Sequence, residues 1–295
     1  MGKSSTFKKL RDTIDLFKGR FNKNIGTRQR DMWSTIHKTL KRLETDEAGN
    51  ILTTNKNLKT LRTLRGDIKG TIITRRYKKD LNRFLGGFDE LKGINDAYYK
   101  TIASGQLLAN KQVFREVVNA SVTLTKDSLL EAGITNEIIR PVERILTQNV
   151  TTGGAFTDLA ETLRTEILGN SEKLGKLERY TNQITTDALN QFNANYNQTV
   201  SQDLGLEFYF YNGAIKENSR EYCKHMVNEG RYFHREEVED SSSRQWSGKI
   251  PGTDRSSIFV YRGGFNCGHQ WLAVDTELVP KNVRDRAEAK GYYKQ

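Results

Sequence analysis

Both cysteines and three of the four histidines of this 295-residue chain fall between residues 220 and 271. Cys223-Lys224-His225 and Cys267-Gly268-His269 are two Cys-x-His pairs. In an extended segment, residues i and i+2 face the same side, so each pair there offers a thiolate and an imidazole together. Cys223, His225, Cys267 and His269 then form a Cys₂His₂ set, the ligand number and softness that suit structural zinc. Against this, one intervening residue is fewer than the usual spacing. The segment around Cys223 also reads as helix, where i and i+2 point about 200° apart. Two metal-free readings stand beside zinc. The cysteines are buried and reduced while the histidines make ordinary hydrogen bonds, or Cys223 and Cys267 lie close together without a metal. Zinc is the only cofactor the residues suggest.

Other motifs carry less chemistry. Glu236, Glu237, Glu239 and Asp240 form an acidic cluster that reads as a solvated turn sooner than a cation site. Gly169 with Gly175-Lys176 superficially resembles a phosphate loop. Its spacing is one residue too long, and Leu177 stands where Ser or Thr must reach magnesium. No Gly-x-Ser-x-Gly, His-Glu-x-x-His or Gly-x-Gly-x-x-Gly fingerprint is present. Without a complete set of base, nucleophile and electrostatic stabiliser, the expectation is a non-enzyme. The alternative, resting on the His/Cys cluster beside acidic residues, is a metal-dependent nuclease or a toxin-like transferase.

The elements that must position these residues follow from periodicity. Phe7, Leu10, Ile14 and Phe17, then Met32, Trp33, Ile36, Leu40 and Leu43, recur at helical spacing. A polar break at 46–50 precedes a third apolar stripe at Leu58, Leu61, Ile68 and Ile72. Gly86-Gly87 is expected to interrupt the helix after it, because glycine costs about 1 kcal/mol in a helix interior. A weaker boundary lies near Ser104-Gly105. Helices are expected through Val142 and Ile145, with Pro141 in the first turns, then from Phe156 to Ile167, and from about 171 to 203. The last of these is rich in Asn, Gln and Thr, so tertiary packing must hold it. Near residue 205 the period changes to two. Phe208 and Phe210 alternate with Tyr209 and Tyr211 before an Asn212-Gly213 turn signal, which reads as a strand. A short helix from 219 to 228 stops at Gly230. Ile258 to Tyr261 and Cys267 to Val274 read as extended. The fold class is α+β: a predominantly helical N-terminal two-thirds and a small α+β C-terminal domain. The expected division is a basic helical region at 1–105 and a second domain at 106–295, whose α+β core spans about 204–275.

The net charge is +11, from 47 Lys and Arg against 36 Asp and Glu. Residues 1–100 hold 24 and 11 of these, so their charge of +13 exceeds the total and the remainder is −2. A charge so placed suits a segment meeting a polyanion, and a solvated basic helical surface is the alternative. The candidate phosphate contacts are Lys56, Lys59, Arg62, Lys69, Arg75, Arg76, Lys78 and Lys79. Two cysteines make no disulfide framework, and no run of 18 apolar residues suggests a membrane span. The basic N-terminus lacks the apolar region of a secretory signal. Met1-Gly2 with Thr6 fits only a loose myristoylation pattern.

The C-terminal third resembles a known family. Ser219-Arg220-Glu221-Tyr222-Cys223-Lys224, then Gly230-Arg231-Tyr232-Phe233, then Tyr261 to Trp271 are similar to the Mu F-like minor head protein, or phage head morphogenesis, domain. The residues carrying the likeness are Arg220, Gly230, Gly263, Gly264, Asn266 and Trp271, with Cys267 and His269 beside them. It extends over roughly 125–275 and includes Thr185-Thr186-Asp187. Gly268 stands where the family usually has Arg. The resemblance implies a minor structural protein of a tailed-phage head. It would be made in the bacterial host cytoplasm, carried in the virion near the portal, and act in head assembly, DNA packaging or ejection. Its implied partners are portal or major capsid protein and packaged double-stranded DNA, not a membrane. Its oligomeric state would be set by the particle.

Overall fold

The computed structural model of the protein describes residues 3–102 and 111–293. The chain runs through α1 (Lys3–Asn22), α2 (Ile25–Leu40), α3 (Asn55–Ile72), α4 (Arg75–Ile102), α5 (Lys111–Leu129) and the short α6 (Glu131–Ile134). A π-turn at Thr135–Ile139 leads into α7 (Arg140–Thr152), followed by α8 (Phe156–Leu168) and α9 (Lys176–Asp203). The C-terminal part alternates β1 (Phe208–Asn212), α10 (Glu221–Asn228), β2 (Tyr232–His234), α11 (Arg235–Asp240), α12 (Ile258–Tyr261), β3 (Gln270–Val274) and α13 (Lys281–Ala289). This is the α+β fold expected, mostly helical with one small antiparallel sheet late in the chain. Among the described residues, no helix is long and apolar enough to cross a membrane. Ser104-Gly105 and Met1-Gly2 lie outside the described residues.

Packing divides the chain into two compact units, each assembled from separated segments. A helical unit takes residues 16–85 and 123–185, and a sheet unit takes 1–15, 86–122 and 186–295. Helices α1, α4, α5 and α9 contribute residues to both.

In the helical unit, α2 packs on α3 and α8, and α7 packs on α3 and α8. Met32, Ile36 and Leu40 of α2 are buried, as are Leu64, Ile68 and Ile72 of α3 and Leu159, Leu163 and Ile167 of α8. These apolar stripes leave the charged faces to water. Pro141 occupies the first turn of α7, where its missing N–H costs little. The polar break at 46–50 is a turn held by the Asp46 carboxylate, which accepts from the Asn50 backbone and side chain.

The sheet unit centres on β1, which pairs antiparallel with β2 on one side and β3 on the other. Its two-residue alternation sorts side chains by face. Phe208 joins Val274, Val279, Val283 and Ala287 in one core, and Phe210 packs there with Tyr232. Tyr209 and Tyr211 face the opposite way, toward Phe259 and Trp271. The Asn-rich part of α9 is buried through its amides. Asn193 accepts from Asn95 at 2.7 Å and donates to Gln270 at 3.0 Å, while Gln270 donates to Asn190 at 2.7 Å. Asn197 accepts from the Tyr99 hydroxyl at 2.7 Å.

Four local expectations are corrected. Helix α4 passes through Gly86-Gly87 unbroken, because buried Tyr77, Leu81, Phe84, Phe88 and Leu91 anchor it on both sides. The glycine penalty is small against that burial. Ile258–Tyr261 is a helical turn instead of a strand. The Asp254 carboxylate accepts from the backbone of Ser256 and Ser257 and starts the coil there. The strand after Cys267 is confined to Gln270–Val274, and α9 begins at Lys176 because Gly169 and Leu174 bridge before it.

Candidate functional site

The cysteines meet in the sheet unit. Cys223 lies on α10 and Cys267 in the loop entering β3, and both are buried and free. Their sulfurs are 3.7 Å apart. His269 Nδ1 lies 3.9 Å from Cys267 Sγ, and one ligand atom from each of the three residues lies within 4.8 Å of the others. His225 does not join them. It is on the same helix as Cys223, two residues on, and faces Glu229 at 3.9 Å with its side chain about one-third exposed. The four-residue set expected from the sequence is therefore corrected to three, for the helical reason: i and i+2 diverge by about 200°.

Two glycines make room for this cluster. A Cβ on Gly263 would fall inside van der Waals contact of Cys223 Sγ and 3.0 Å from Cys267 Sγ. A Cβ on Gly213 would overlap the imidazole of His269. That ring is stacked on Tyr211, with centroids 5.1 Å apart and planes 7° from parallel. The Tyr211 hydroxyl donates to Cys223 Sγ at 3.3 Å and lies 3.9 Å from Cys267 Sγ.

The loop before β3 and its neighbours form the support. Arg262, Gly264 and Asn266 all take left-handed backbone, with φ of 51°, 102° and 55°. The chain thus coils sharply between α12 and Cys267. Arg262 is buried, and its guanidinium donates to the Asn190 carbonyl at 2.6 Å. The Asn266 N–H donates to the Asp187 carboxylate at 3.0 Å. Arg220, preceding α10, donates to the Phe265 carbonyl and lies against Gly248. Gly230, with φ of 95°, ends the turn after α10. The Gly263 carbonyl accepts from Trp246 at 2.9 Å. Trp271, buried on β3, packs on Tyr211 with centroids 4.4 Å apart. Gly268 has open space around it and no special backbone conformation.

The electrostatics concentrate on Cys267. The hydrogen bond from Cys223 holds its thiol well below the usual range against burial, and His269 and Arg262 add to the effect. Cys223 is pushed up by giving that hydrogen bond and by burial. Burial raises the Asp187 carboxyl, opposed by the Asn266 N–H. Two sulfurs and an imidazole are a soft donor set of the kind that holds zinc.

The acidic cluster is internally matched. Arg255 meets Glu236, Glu239 and Asp240, and buried Glu237 pairs with Arg286 and Lys290 at 2.8 and 2.9 Å. It is better described as an ion-pair network than as a solvated turn. Among the phosphate-contact candidates, Lys59, Arg62, Arg75, Arg76, Lys78 and Lys79 are exposed. Lys56 is exposed but paired with Glu44 at 2.8 Å, and Lys69 is half-buried. Sequence reasoning passed over Tyr211 and Arg262 as functional positions. Their signals were the Asn212-Gly213 turn after Tyr211 and the glycine pair after Arg262. Set against protein-family models, curated proteins and solved structures, the chain matches none of them.

Proposed function

We propose that this protein is a minor structural component of a tailed-phage head that contacts the packaged double-stranded DNA. In this reading the helical unit meets phosphate, and the sheet unit docks on portal or capsid subunits. The observation that carries the proposal is where the charge lies. The helical unit holds 25 Lys and Arg against 15 Asp and Glu, a charge of +10, while the sheet unit is at +1. Exposed Arg75, Arg76, Lys78 and Lys79 crowd the first turn of α4, which has no acidic residue. Cations at that end work against the helix dipole and gain little for folding. They do add to the positive end of the helix dipole, an arrangement that suits phosphate. The head assignment is supported by the likeness of Arg220, Gly230, Gly263, Gly264, Asn266 and Trp271 to the head morphogenesis family.

The test is DNA binding by the full chain, followed over a series of salt concentrations. Changing Arg75, Arg76, Lys78 and Lys79 together to Gln is expected to weaken binding to any duplex sequence. The log–log salt slope should become shallower by about 3 to 4, near 0.9 for each phosphate left without its cation. A folded variant with unchanged affinity and slope would overturn the DNA reading. Absence of the protein from purified phage heads would overturn the virion reading.

A further inference from the structure

We infer that Cys223, Cys267 and His269 are the three protein ligands of a zinc ion that clips α10 to the entrance of β3, with water in the fourth tetrahedral position. The geometry comes first. Tetrahedral zinc with Zn–S of about 2.3 Å and Zn–N of about 2.0 Å sets its ligand atoms about 3.8 Å apart for two sulfurs and about 3.5 Å for sulfur and nitrogen. The sulfurs here are 3.7 Å apart, and His269 Nδ1 is 3.9 Å from Cys267 Sγ. A disulfide would need sulfurs near 2.05 Å. The side chains are thus placed as ligands around an ion.

The metal-free reading of His269 as an ordinary hydrogen-bonded core residue does not fit. The side chain is more than nine-tenths buried, and its Nδ1 has only the Cys267 sulfur, at 3.9 Å, as a partner among the described residues. Leaving a buried imidazole so poorly satisfied is costly. What holds the ring is stacking on Tyr211 and the missing Cβ of Gly213, both of which turn it toward the sulfurs. Gly263 opens the other side, since any side chain there would press on both sulfurs. Two separate backbone positions are therefore without side chains where the cluster needs space.

Charge leads to the same place. Two buried thiols lie together beside an imidazole here. A dication stabilises both as thiolates, and binding releases the two thiol protons to solvent. The Tyr211 hydroxyl donates to Cys223 Sγ and takes up part of the thiolate charge, the outer support that tunes metal sites. The clip joins residues 44 apart in sequence. It fixes the left-handed loop at 262–266 from below, independently of whether the helical unit binds DNA.

The experiment is elemental analysis of the full-length protein purified from zinc-supplemented medium, with Co²⁺ replacement as a second readout. One zinc per chain is expected, together with a thiolate-to-cobalt charge-transfer band in the Co²⁺ form. Cys223→Ser and Cys267→Ser should each abolish both signals, and chelation of the unmodified protein should lower its Tm. Tyr211→Phe should keep the ion but weaken affinity at least about tenfold. His225→Ala should leave stoichiometry and spectrum unchanged. Wild-type protein that carries no zinc and gives no cobalt band would overturn the proposal, whatever the variants do. Loss of the ion in a folded His225→Ala variant would overturn the three-residue ligand set.

Discussion

At the residue scale, two glycines close to the cysteines in the loop before β3 have opposite tolerances. Gly263 faces both sulfurs, so Gly263→Ala must displace one or strain the loop. Overpacking of this kind costs about 1 to 3 kcal/mol, readable as a lower midpoint in denaturant. Gly268 is exposed, and a methyl group on it would meet nothing within 4 Å. Gly268→Arg, which restores the residue usual in the resembled family, should shift stability by no more than about 0.5 kcal/mol. If both variants unfold at the same midpoint, the steric account of Gly263 is wrong. The pairing of Cys223 with Cys267 and His269 was legible in the sequence as a concentration of soft ligands. The exclusion of His225 followed from the helix assignment around Cys223. Invisible in the sequence was the stacked Tyr211, which reads there as one more aromatic on an alternating strand.

At the element scale, α9 shows why polar composition misleads about burial. Asn190, Asn193 and Asn197 lie three and four residues apart, so they share one helical face. That face is inside the sheet unit, where its amides bond Asn95, Tyr99 and Gln270. Asn193→Ala would remove the acceptor of one Asn95 bond and the donor to the Gln270 side-chain oxygen in a buried setting. The expected cost is about 1 to 3 kcal/mol, seen by calorimetry or denaturant titration. A neutral result would mean that water replaces the lost amide. The sequence did show that packing must hold this helix, because its residues are weak helix formers. It could not show the partners, which come from α4 and β3, about a hundred and about eighty residues away. Ile258–Tyr261 was illegible for a related reason. Its apolar, β-branched run favours a strand, but the Asp254 turn before it fixes a coil first.

At the scale of the whole molecule, the charge split and the packing split do not coincide with sequence order. Counted along the chain, the first hundred residues hold all the excess charge; counted by unit, it belongs to a body that also includes 123–185. Residues 86–100 belong to the sheet unit, where Phe88 packs on Phe192 and the Tyr98 hydroxyl donates to the Ala273 carbonyl at 3.0 Å. Phe7 likewise packs against Phe210, with centroids 5.8 Å apart. A chain lacking residues 1–100 is therefore expected to lose part of both cores. It should show no cooperative unfolding transition and rapid proteolysis. A cooperative transition in that fragment would show that the C-terminal residues suffice alone. Long-range pairing of this sort leaves no local pattern in a sequence, whereas the individual stripes that take part in it are plain.

The interleaved chain also governs how the protein can be made. A ribosome delivers residues in order, yet the unit that begins at residue 16 cannot close until residues 123–185 have emerged. Residues 86–122 must wait longer still, for the strands that follow residue 207. When α4 has been made, about two-thirds of the chain is still to come, and the apolar faces of α1 to α4 stay exposed. Such delayed closure slows folding and favours aggregation of partly made chains. The dense surface charge of the early segments keeps those waiting helices in solution. The basic face would then serve the nascent chain before it serves any partner.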